Sequence, residues 1–109
     1  MQATLDALAE PRRREILALV RDRELAAGEI AANFAVTRSA ISQHVGVLKQ
    51  AGLLTERREG TKRLYRARPE GLADLRAFLD EFWSERLDAL TREVEREERR
   101  RKRDRGSSN

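Results

Sequence analysis

Apolar residues in the first fifty positions recur at helical spacing, separated by polar or turn-forming residues. The first 25 residues predict two helices, because Pro11 suits the first turn of a second helix, where its missing N–H costs nothing. A third, short helix follows over "AAGEIAANFAV", and Thr37 is a suitable N-cap for a fourth helix that Gly52 ends. The residues predicted to face the core in the first three helices are Leu5, Leu8, Ala9, Ile16, Leu17, Leu19, Val20, Ile30, Ala31 and Phe34.

The second half of the chain predicts a short β-hairpin followed by a long helix. Residues 53–58 and 62–67 resemble strands, and Gly60 lies in the turn between them. A fifth helix begins at Pro69 and carries large apolar residues on more than one stripe. From about Arg99 the residues are charged or small, which predicts a disordered tail. We therefore expect one mostly α-helical domain with a small β-hairpin over residues 1–98 and a basic tail over residues 99–109.

The composition excludes several classes of function. None of the 109 residues is cysteine, which excludes disulfides, thiolate metal sites and thiol redox chemistry. With one histidine and no cysteine, the chain cannot complete a tetrahedral zinc site, so we expect no metal and no other cofactor. The alternative that stays open is a site made only of carboxylates, which would bind a hard cation on the last helix. No apolar run approaches the ~18 residues of a membrane span, and the N-terminus lacks a signal-peptide core. We expect a cytoplasmic protein without membrane contact.

Positive charge is concentrated in two segments. Residues 37–68 hold eight basic and two acidic residues, and residues 96–109 hold seven basic and three acidic residues. Residues 69–95, by contrast, hold three basic and eight acidic residues. Local positive fields of this kind are typical of nucleic-acid binding, although a solvated basic surface gives the same pattern.

The third and fourth predicted helices, joined by residues 35–37, have the spacing of a helix-turn-helix unit. In such a unit the second helix enters the major groove of DNA and contacts base edges. At ~100° per residue, Ile41, Val45 and Leu48 mark the core face of this helix. The outward face has no carboxylate, so it can hydrogen-bond to bases and phosphates without repelling DNA. Its residues are Ser39, Ser42, Gln43, Gly46, Lys49 and Gln50.

Two residues of this helix leave alternatives open. Gly46 lies inside the helix, where glycine costs ~1 kcal/mol relative to alanine. Either a neighbour approaches the helix closely at this position, or the glycine has no special role. His44 lies ~60° around the helix from Ile41, at the edge of the core face. It is either a partly buried, hydrogen-bonded residue or a contact to a DNA phosphate.

The predicted hairpin is strongly basic around its turn. Only Glu59 opposes four basic residues there, and Tyr65 is the one aromatic residue of the hairpin. A basic ribbon beside a reading helix can lie along the DNA backbone or in the minor groove. The alternatives are an edge hairpin that charge protects from aggregation and, less favoured because stacking aromatics are scarce, RNA binding. The four basic residues are Arg57, Arg58, Lys62 and Arg63.

Three segments together resemble the ArsR/SmtB type of bacterial winged-helix repressor: "ALAEPRRREIL", "AAGEIAANFAVTRSAISQHVGVLKQAGLL" and "ERREGTKRLYRARPEGLADL". The resemblance implies a winged helix-turn-helix fold with the element order α-α-α-α-β-β-α. It also implies a homodimer that binds an inverted repeat in a promoter and represses transcription. By position, the basic hairpin matches the wing, and the recognition-helix contacts match Arg38, Ser39, Ser42, Gln43 and His44. We therefore expect DNA contacts from Thr37, Arg38, Ser39, Ser42, Gln43, His44, Lys49, Arg57, Arg58, Lys62, Arg63 and Tyr65.

The chain departs from the metal-sensing members of that family. Some of those members carry a cysteine pair near the third helix, where this chain has "RELAAGEI". Others use histidine and carboxylate ligands on the last helix, which here has no histidine. The chain is more similar to members without metal-sensing motifs, and the nature of any effector ligand stays open.

The long fifth helix predicts a dimer. From Pro69 to about residue 98 it is ~45 Å long, which is longer than so small a domain is wide. Its two adjacent apolar tracks can cover the protein's own core and a second copy, and we expect the first helix to join this interface. The expected interface residues are Leu5, Leu8, Leu75, Phe78, Leu79, Phe82, Trp83, Leu87 and Leu90.

Two other functions compete with DNA binding. An enzyme is disfavoured because the one histidine lies in the reading helix, without an adjacent nucleophile or a Gly-rich phosphate loop. A winged helix can instead serve as a protein-interaction module without specific DNA binding. Salt-sensitive binding to duplex DNA discriminates between the last two functions, because a docking module lacks it.

Overall fold

Four helices precede the hairpin, and a fifth follows it. The computed structural model describes residues 1–107, with side chains described through residue 104. The helices are α1 (Gln2–Ala9), α2 (Pro11–Leu19), α3 (Ala27–Ala31), α4 (Arg38–Gln50) and α5 (Ala73–Ser107), the last preceded by a 3-10 turn (Pro69–Leu72). None of the described helices is long and apolar enough to cross a membrane.

The hairpin belongs to a three-stranded antiparallel sheet with the strand order β1-β3-β2. Its strands are β1 (Leu25–Ala26), β2 (Leu54–Glu59) and β3 (Lys62–Ala67). Gly60 has a φ of 61° in the turn between β2 and β3, a conformation that glycine adopts without steric cost. The predicted order of helices and hairpin is confirmed. The additional strand β1 escaped prediction because two residues are too few to show alternation.

Residues 1–75 form one compact unit with a core built from helices and sheet. The prediction for α4 is confirmed, because Ile41, Val45 and Leu48 are all buried. The fully buried side chains also include Ile16, Val20, Ile30 and Leu53.

The sequence predicts the wrong buried face for α1. Thr4 and Ala7 are the buried residues of this helix, whereas Leu5 is 41% exposed and Ala9 is exposed. Leu8 is half-buried and packs against the core. Small side chains occupy the positions where α1 packs on the rest of the unit, so the larger leucine at position 5 remains at the surface.

The chain divides into two compact units, residues 1–75 and 76–109, where the sequence predicts one domain ending near residue 98. α5 also continues past residue 98, where the sequence predicts disorder. Ion pairs at helical spacing extend into this segment: Glu95 pairs with Arg99 at 3.8 Å, and Glu97 pairs with Arg100 at 2.8 Å. Such pairs stabilise a helix, and they depend on the spacing of the charged residues rather than on their number. Positions 108 and 109 of the predicted tail lie outside the described residues.

Candidate nucleic-acid interface

The start of α4 presents several side chains to solvent. Thr37 acts as the N-cap, and its Oγ1 accepts a hydrogen bond from the backbone N–H of Ala40 at 3.1 Å. The next polar residues are exposed, and within the described part of the chain their side chains make no hydrogen bond or ion pair. Their donors and acceptors are therefore available to a ligand. These residues are Arg38, Ser39, Ser42 and Gln43.

Glu56 of β2 holds two of the predicted DNA-binding cations. Its carboxylate accepts a hydrogen bond from Lys49 Nζ of α4 and forms an ion pair with Arg63 Nε of β3 at 3.3 Å. The hydrogen bond from Lys49 is the largest effect on this carboxyl group and, with the charge of Arg63, lowers the pKa of Glu56 below its usual value of 4.5. Lys49 and Arg63 are thus partly neutralised, and α4 is tied to the hairpin.

The remaining basic residues of the hairpin, Arg57, Arg58, Lys62 and Arg66, fall into two classes. Arg57 Nε donates a hydrogen bond to Glu24 Oε2 at 2.9 Å, and Arg57 also forms an ion pair with Glu59 at 3.3 Å. The hydrogen bond to Glu24 is the main reason why the pKa of Arg57 is raised. Arg58, Lys62 and Arg66 are exposed, and none of them forms an ion pair with any residue that the structure describes. The three unpaired cations are therefore the charges of the hairpin that are most available to an anionic ligand.

A groove joins the start of α4 to the hairpin. Its volume is about 390 Å³, and its charged lining consists of Arg38, Lys62 and Arg63. Tyr65, which is half-buried and packs against the core, closes one side, with Ala26 on β1 nearby. Three cations around one groove, without a lining carboxylate, favour an anion such as a phosphate group.

His44 is half-buried at the edge of α4, as one of the two alternatives predicted. Arg13 Nη1 of α2 lies 3.5 Å from His44 Nδ1, and the same guanidinium donates to the backbone carbonyls of Ala7 and Asp6 at 2.7 and 2.9 Å. These two carbonyls lie in the last turn of α1, so Arg13 caps that helix while it contacts His44. No group of three or more potential metal ligands occurs among the described residues.

The apolar side chains predicted for a dimer interface are mostly at the surface. In α5 six of them are between 43% and 57% exposed: Phe78, Leu79, Phe82, Trp83, Leu87 and Leu90. Phe82 stacks on Phe78 with ring centroids 5.7 Å apart and meets Trp83 edge to face at 5.0 Å. Leu75 is half-buried, like Leu8, and Leu5 is exposed. An exposed apolar surface of this extent is typical of a surface that binds another protein.

Comparison with known proteins identifies the family. Residues 10–56 match the family described as "Bacterial regulatory protein, arsR family". Over 91 residues the chain is 43% identical to the HTH-type transcriptional regulator Rv2034 of Mycobacterium tuberculosis, covering 84% of this chain and 85% of that protein. The chain belongs to the ArsR family.

Two further comparisons agree with this assignment. The chain is 37% identical over 60 residues to the transcriptional repressor SdpR of Bacillus subtilis, covering 55% of this chain and 67% of that protein. It is 47% identical to a solved structure described as a possible transcriptional regulator for arsenical resistance. The TM-score is 0.66, and the match covers 82% of this chain and 93% of that chain. The winged helix-turn-helix fold is confirmed, and this ArsR-family chain is a transcriptional regulator rather than an enzyme.

Sequence reasoning missed three residues that shape this ArsR-family surface. Glu24 and Glu56 neutralise predicted DNA contacts, and Arg13 holds His44. The pairing of Glu56 with Arg63 could have been predicted, because Glu56 lies opposite Tyr65 in the hairpin and Arg63 lies two residues before Tyr65, on the same side of the sheet. The partners of Glu24 and Arg13 lie 33 and 31 positions away along the chain, so only the fold brings them together.

Replacing Glu56 by glutamine should strengthen binding to duplex DNA. The Glu56→Gln variant releases Lys49 and Arg63 from their shared carboxylate, so the slope of log affinity against log salt should steepen by about one to two units per protomer. Glu15→Gln, which removes the same charge from α2, is the control and should have little effect. A salt titration with a random-sequence duplex measures both variants, and equal slopes for Glu56→Gln and wild type would contradict the assigned role.

The same carboxylate makes the link between α4 and the hairpin sensitive to pH. Because the pKa of Glu56 is lowered in the folded protein, its contribution to stability is complete above the usual value of 4.5. It is lost as the pH falls through the lowered, folded-state pKa. Wild type should therefore lose more stability than Glu56→Gln between pH 5 and pH 2, roughly the range over which such carboxylates titrate, in parallel denaturant titrations.

Replacing Gly46 by alanine should separate folding from DNA binding. A Cβ atom at this position meets nothing within 4 Å in the described chain, so Gly46→Ala should raise the free energy of unfolding by ~1 kcal/mol. If the outward face of α4 lies in a DNA groove, the added methyl group should nevertheless weaken operator binding. Denaturant unfolding and operator titration check the two effects, and stabilisation without loss of binding would mean that no ligand approaches α4 closely there.

Proposed function

We propose that this ArsR-family chain is a homodimeric repressor that binds an inverted-repeat operator in double-stranded DNA. The observation that carries the proposal is the outward face of α4, where Ser39, Ser42 and Gln43 are exposed and have no partner in the described chain. These side chains have the hydroxyl and amide groups that hydrogen-bond to base edges in the major groove. The adjacent cations supply contacts to the DNA backbone.

Within the proposal, the contacts differ in strength. Arg38 and Lys62 bind one phosphate in the groove that they line, and Arg58 binds a second. Lys49, Arg57 and Arg63 contribute less, because carboxylates of the same chain already hold them. Thr37 positions α4 through its cap, Tyr65 supports the groove, and His44 reaches the backbone only if its contact with Arg13 rearranges.

The proposed dimer rests on α5. Its exposed aromatic and aliphatic residues follow helical spacing over about four turns, which supports burial against a second copy of the same helix. A two-fold dimer places two α4 helices about one turn of DNA apart, ~34–36 Å, and such a dimer requires a palindromic site. Repression is supported by the likeness to SdpR, a transcriptional repressor. An effector ligand is not specified by any feature of the described residues.

A protein-interaction module without specific DNA binding is the second candidate function. The exposed apolar side chains of α5 favour it, because they could bind a different protein as well as a second copy.

Selection from a pool of random duplexes tests the proposal against this alternative. The proposed repressor should enrich a palindrome whose half-sites lie about one helical turn apart. Fusing the enriched site to a reporter promoter should then lower expression when the chain is present. Enrichment of no common sequence would favour the interaction module, and activation of the reporter would contradict repression.

A further inference from the structure

The C-terminal part of α5 carries a row of arginines on one side. At ~100° per residue, five of them fall within an arc of about 100°. The nearest carboxylates, Asp88 and Glu93, lie about 20° outside its two edges, and Glu93 and Glu97 line the same surface as Arg96 and Arg100. We name this row the arginine ridge; its members are Arg92, Arg96, Arg99, Arg100 and Arg103. It extends ~16 Å along the helix at 1.5 Å per residue.

The arginines of the ridge are exposed and largely unpaired. Arg99 pairs with Glu95 at 3.8 Å and Arg100 with Glu97 at 2.8 Å. The other three, Arg92, Arg96 and Arg103, make no hydrogen bond or ion pair with any residue whose side chain the structure describes. Three guanidinium groups of the ridge are thus free to bind an external anion.

The ridge places like charges next to one another at helical spacing. Arg92 and Arg96 lie four residues apart, as do Arg96 and Arg100 and also Arg99 and Arg103. Like charges at this spacing destabilise an isolated helix, and the ion pairs of Arg99 with Glu95 and of Arg100 with Glu97 offset part of that repulsion. A polyanion removes the repulsion. Upstream on the same side, Glu81 and Glu85 would repel such a ligand, so the anion-binding surface begins at Arg92.

We propose that the arginine ridge is a second DNA-binding surface, which holds the phosphate backbone of a duplex independently of its sequence. Guanidinium groups form bidentate hydrogen bonds with phosphate oxygens, and six of the seven basic residues in positions 96–109 are arginine. The proposal rests on duplex DNA being the partner of this chain, but it does not require the α4 surface to read a sequence.

A membrane surface fits the same charge less well. A helix that lies on an anionic membrane needs an apolar face beside its basic face. The last apolar residue of the chain is Val94, so the ridge from Arg96 onward has no apolar face to insert. Duplex phosphates need only the cations.

The test compares two doubly substituted full-length chains that lose the same charge. Arg96→Gln with Arg103→Gln removes two unpaired members of the ridge, whereas Arg101→Gln with Lys102→Gln removes two cations from other sides of the same helix. On a random-sequence duplex, the ridge variant should bind roughly tenfold more weakly near physiological salt. Its salt slope should fall by about two units per protomer, and the control should change much less.

The outcomes separate this inference from the proposed function. An unchanged salt slope for the ridge variant, or equal losses of duplex affinity for both variants, would show that the arginine ridge does not bind DNA. This conclusion holds whether or not an operator is found. A loss of binding to phosphatidylserine vesicles, with duplex binding intact, would assign the ridge to membranes and also overturn it. If selection yields no operator but the ridge variant alone loses duplex binding, DNA binding by the arginine ridge is supported and the proposal of sequence-specific repression is wrong.

Discussion

Replacing Leu87 and Leu90 by glutamate should convert the protein into a monomer of 12.5 kDa. Both leucines are more than half exposed in the single chain, at 57% and 56%, and we expect a second copy to cover them. Each dimer would then bury four carboxylates without partners, at a cost of several kcal/mol. Sedimentation at micromolar concentration measures the loss. Because the two DNA-binding surfaces would no longer be linked, affinity for a palindromic duplex should fall by ~100-fold or more.

Ala77→Glu with Ser84→Glu is the matched control for this double substitution, because it adds the same two charges. Both residues are exposed and lie at least ~60° around α5 from every expected interface residue of that helix, so the charges at these positions should leave the dimer intact. If wild type itself sediments as a monomer, or if the control dissociates as readily as the leucine variant, the interface is not where we place it.

Replacing Gly71 by alanine should lower the free energy of unfolding by about 3 kcal/mol, at the upper end of typical overpacking costs. A Cβ atom on Gly71 would lie 2.2 Å from the backbone oxygen of Gly52 and 3.1 Å from Leu53 Cδ2. Gly52 itself has a φ of 76° and ends α4, and Arg68 donates from its backbone to Leu53 at 2.8 Å. The clash is therefore with backbone that cannot move without disturbing the junction between α4 and the hairpin.

Thermal unfolding at fixed protein concentration measures the effect of Gly71→Ala, which should lower Tm by roughly 10–20 °C. Gly46→Ala is the control, since it adds the same methyl group where the described chain leaves open space. An unchanged Tm for Gly71→Ala would mean that the 3-10 turn does not pack on Gly52 in solution.

The sequence was sufficient to predict the elements whose apolar residues recur with a strong periodicity. The buried side of α4 could be predicted, because three apolar residues recur over two turns between a good N-cap and a glycine. The buried side of α1 could not be predicted, because the residues that it buries are Thr4 and Ala7, whose small side chains give a weak hydrophobic signal. The two-residue strand β1 lacked any signal as well.

The sequence predicts which residues form the candidate site, but it does not predict which of its cations pair with carboxylates. The sequence identifies the basic hairpin and the carboxylate-free face of α4, since both are local patterns. It does not distinguish Arg58 and Lys62, which are unpaired in the described chain, from Arg57 and Arg63, which carboxylates hold. That distinction depends on which side chains the fold brings within about 3 Å, the range of charge-assisted hydrogen bonds.

Salt titrations on the selected operator and on a scrambled duplex test the central claim most directly, namely that α4 reads bases while the hairpin holds phosphates. Gln43→Ala should lose ~1–3 kcal/mol on the operator, little on the scrambled duplex, and keep the wild-type salt slope. Arg58→Gln with Lys62→Gln should weaken both duplexes alike and lower the slope by about two units per protomer. If Gln43→Ala weakens both duplexes equally, or the hairpin variant binds as wild type does, the assignment of reading to α4 and anchoring to the hairpin is wrong.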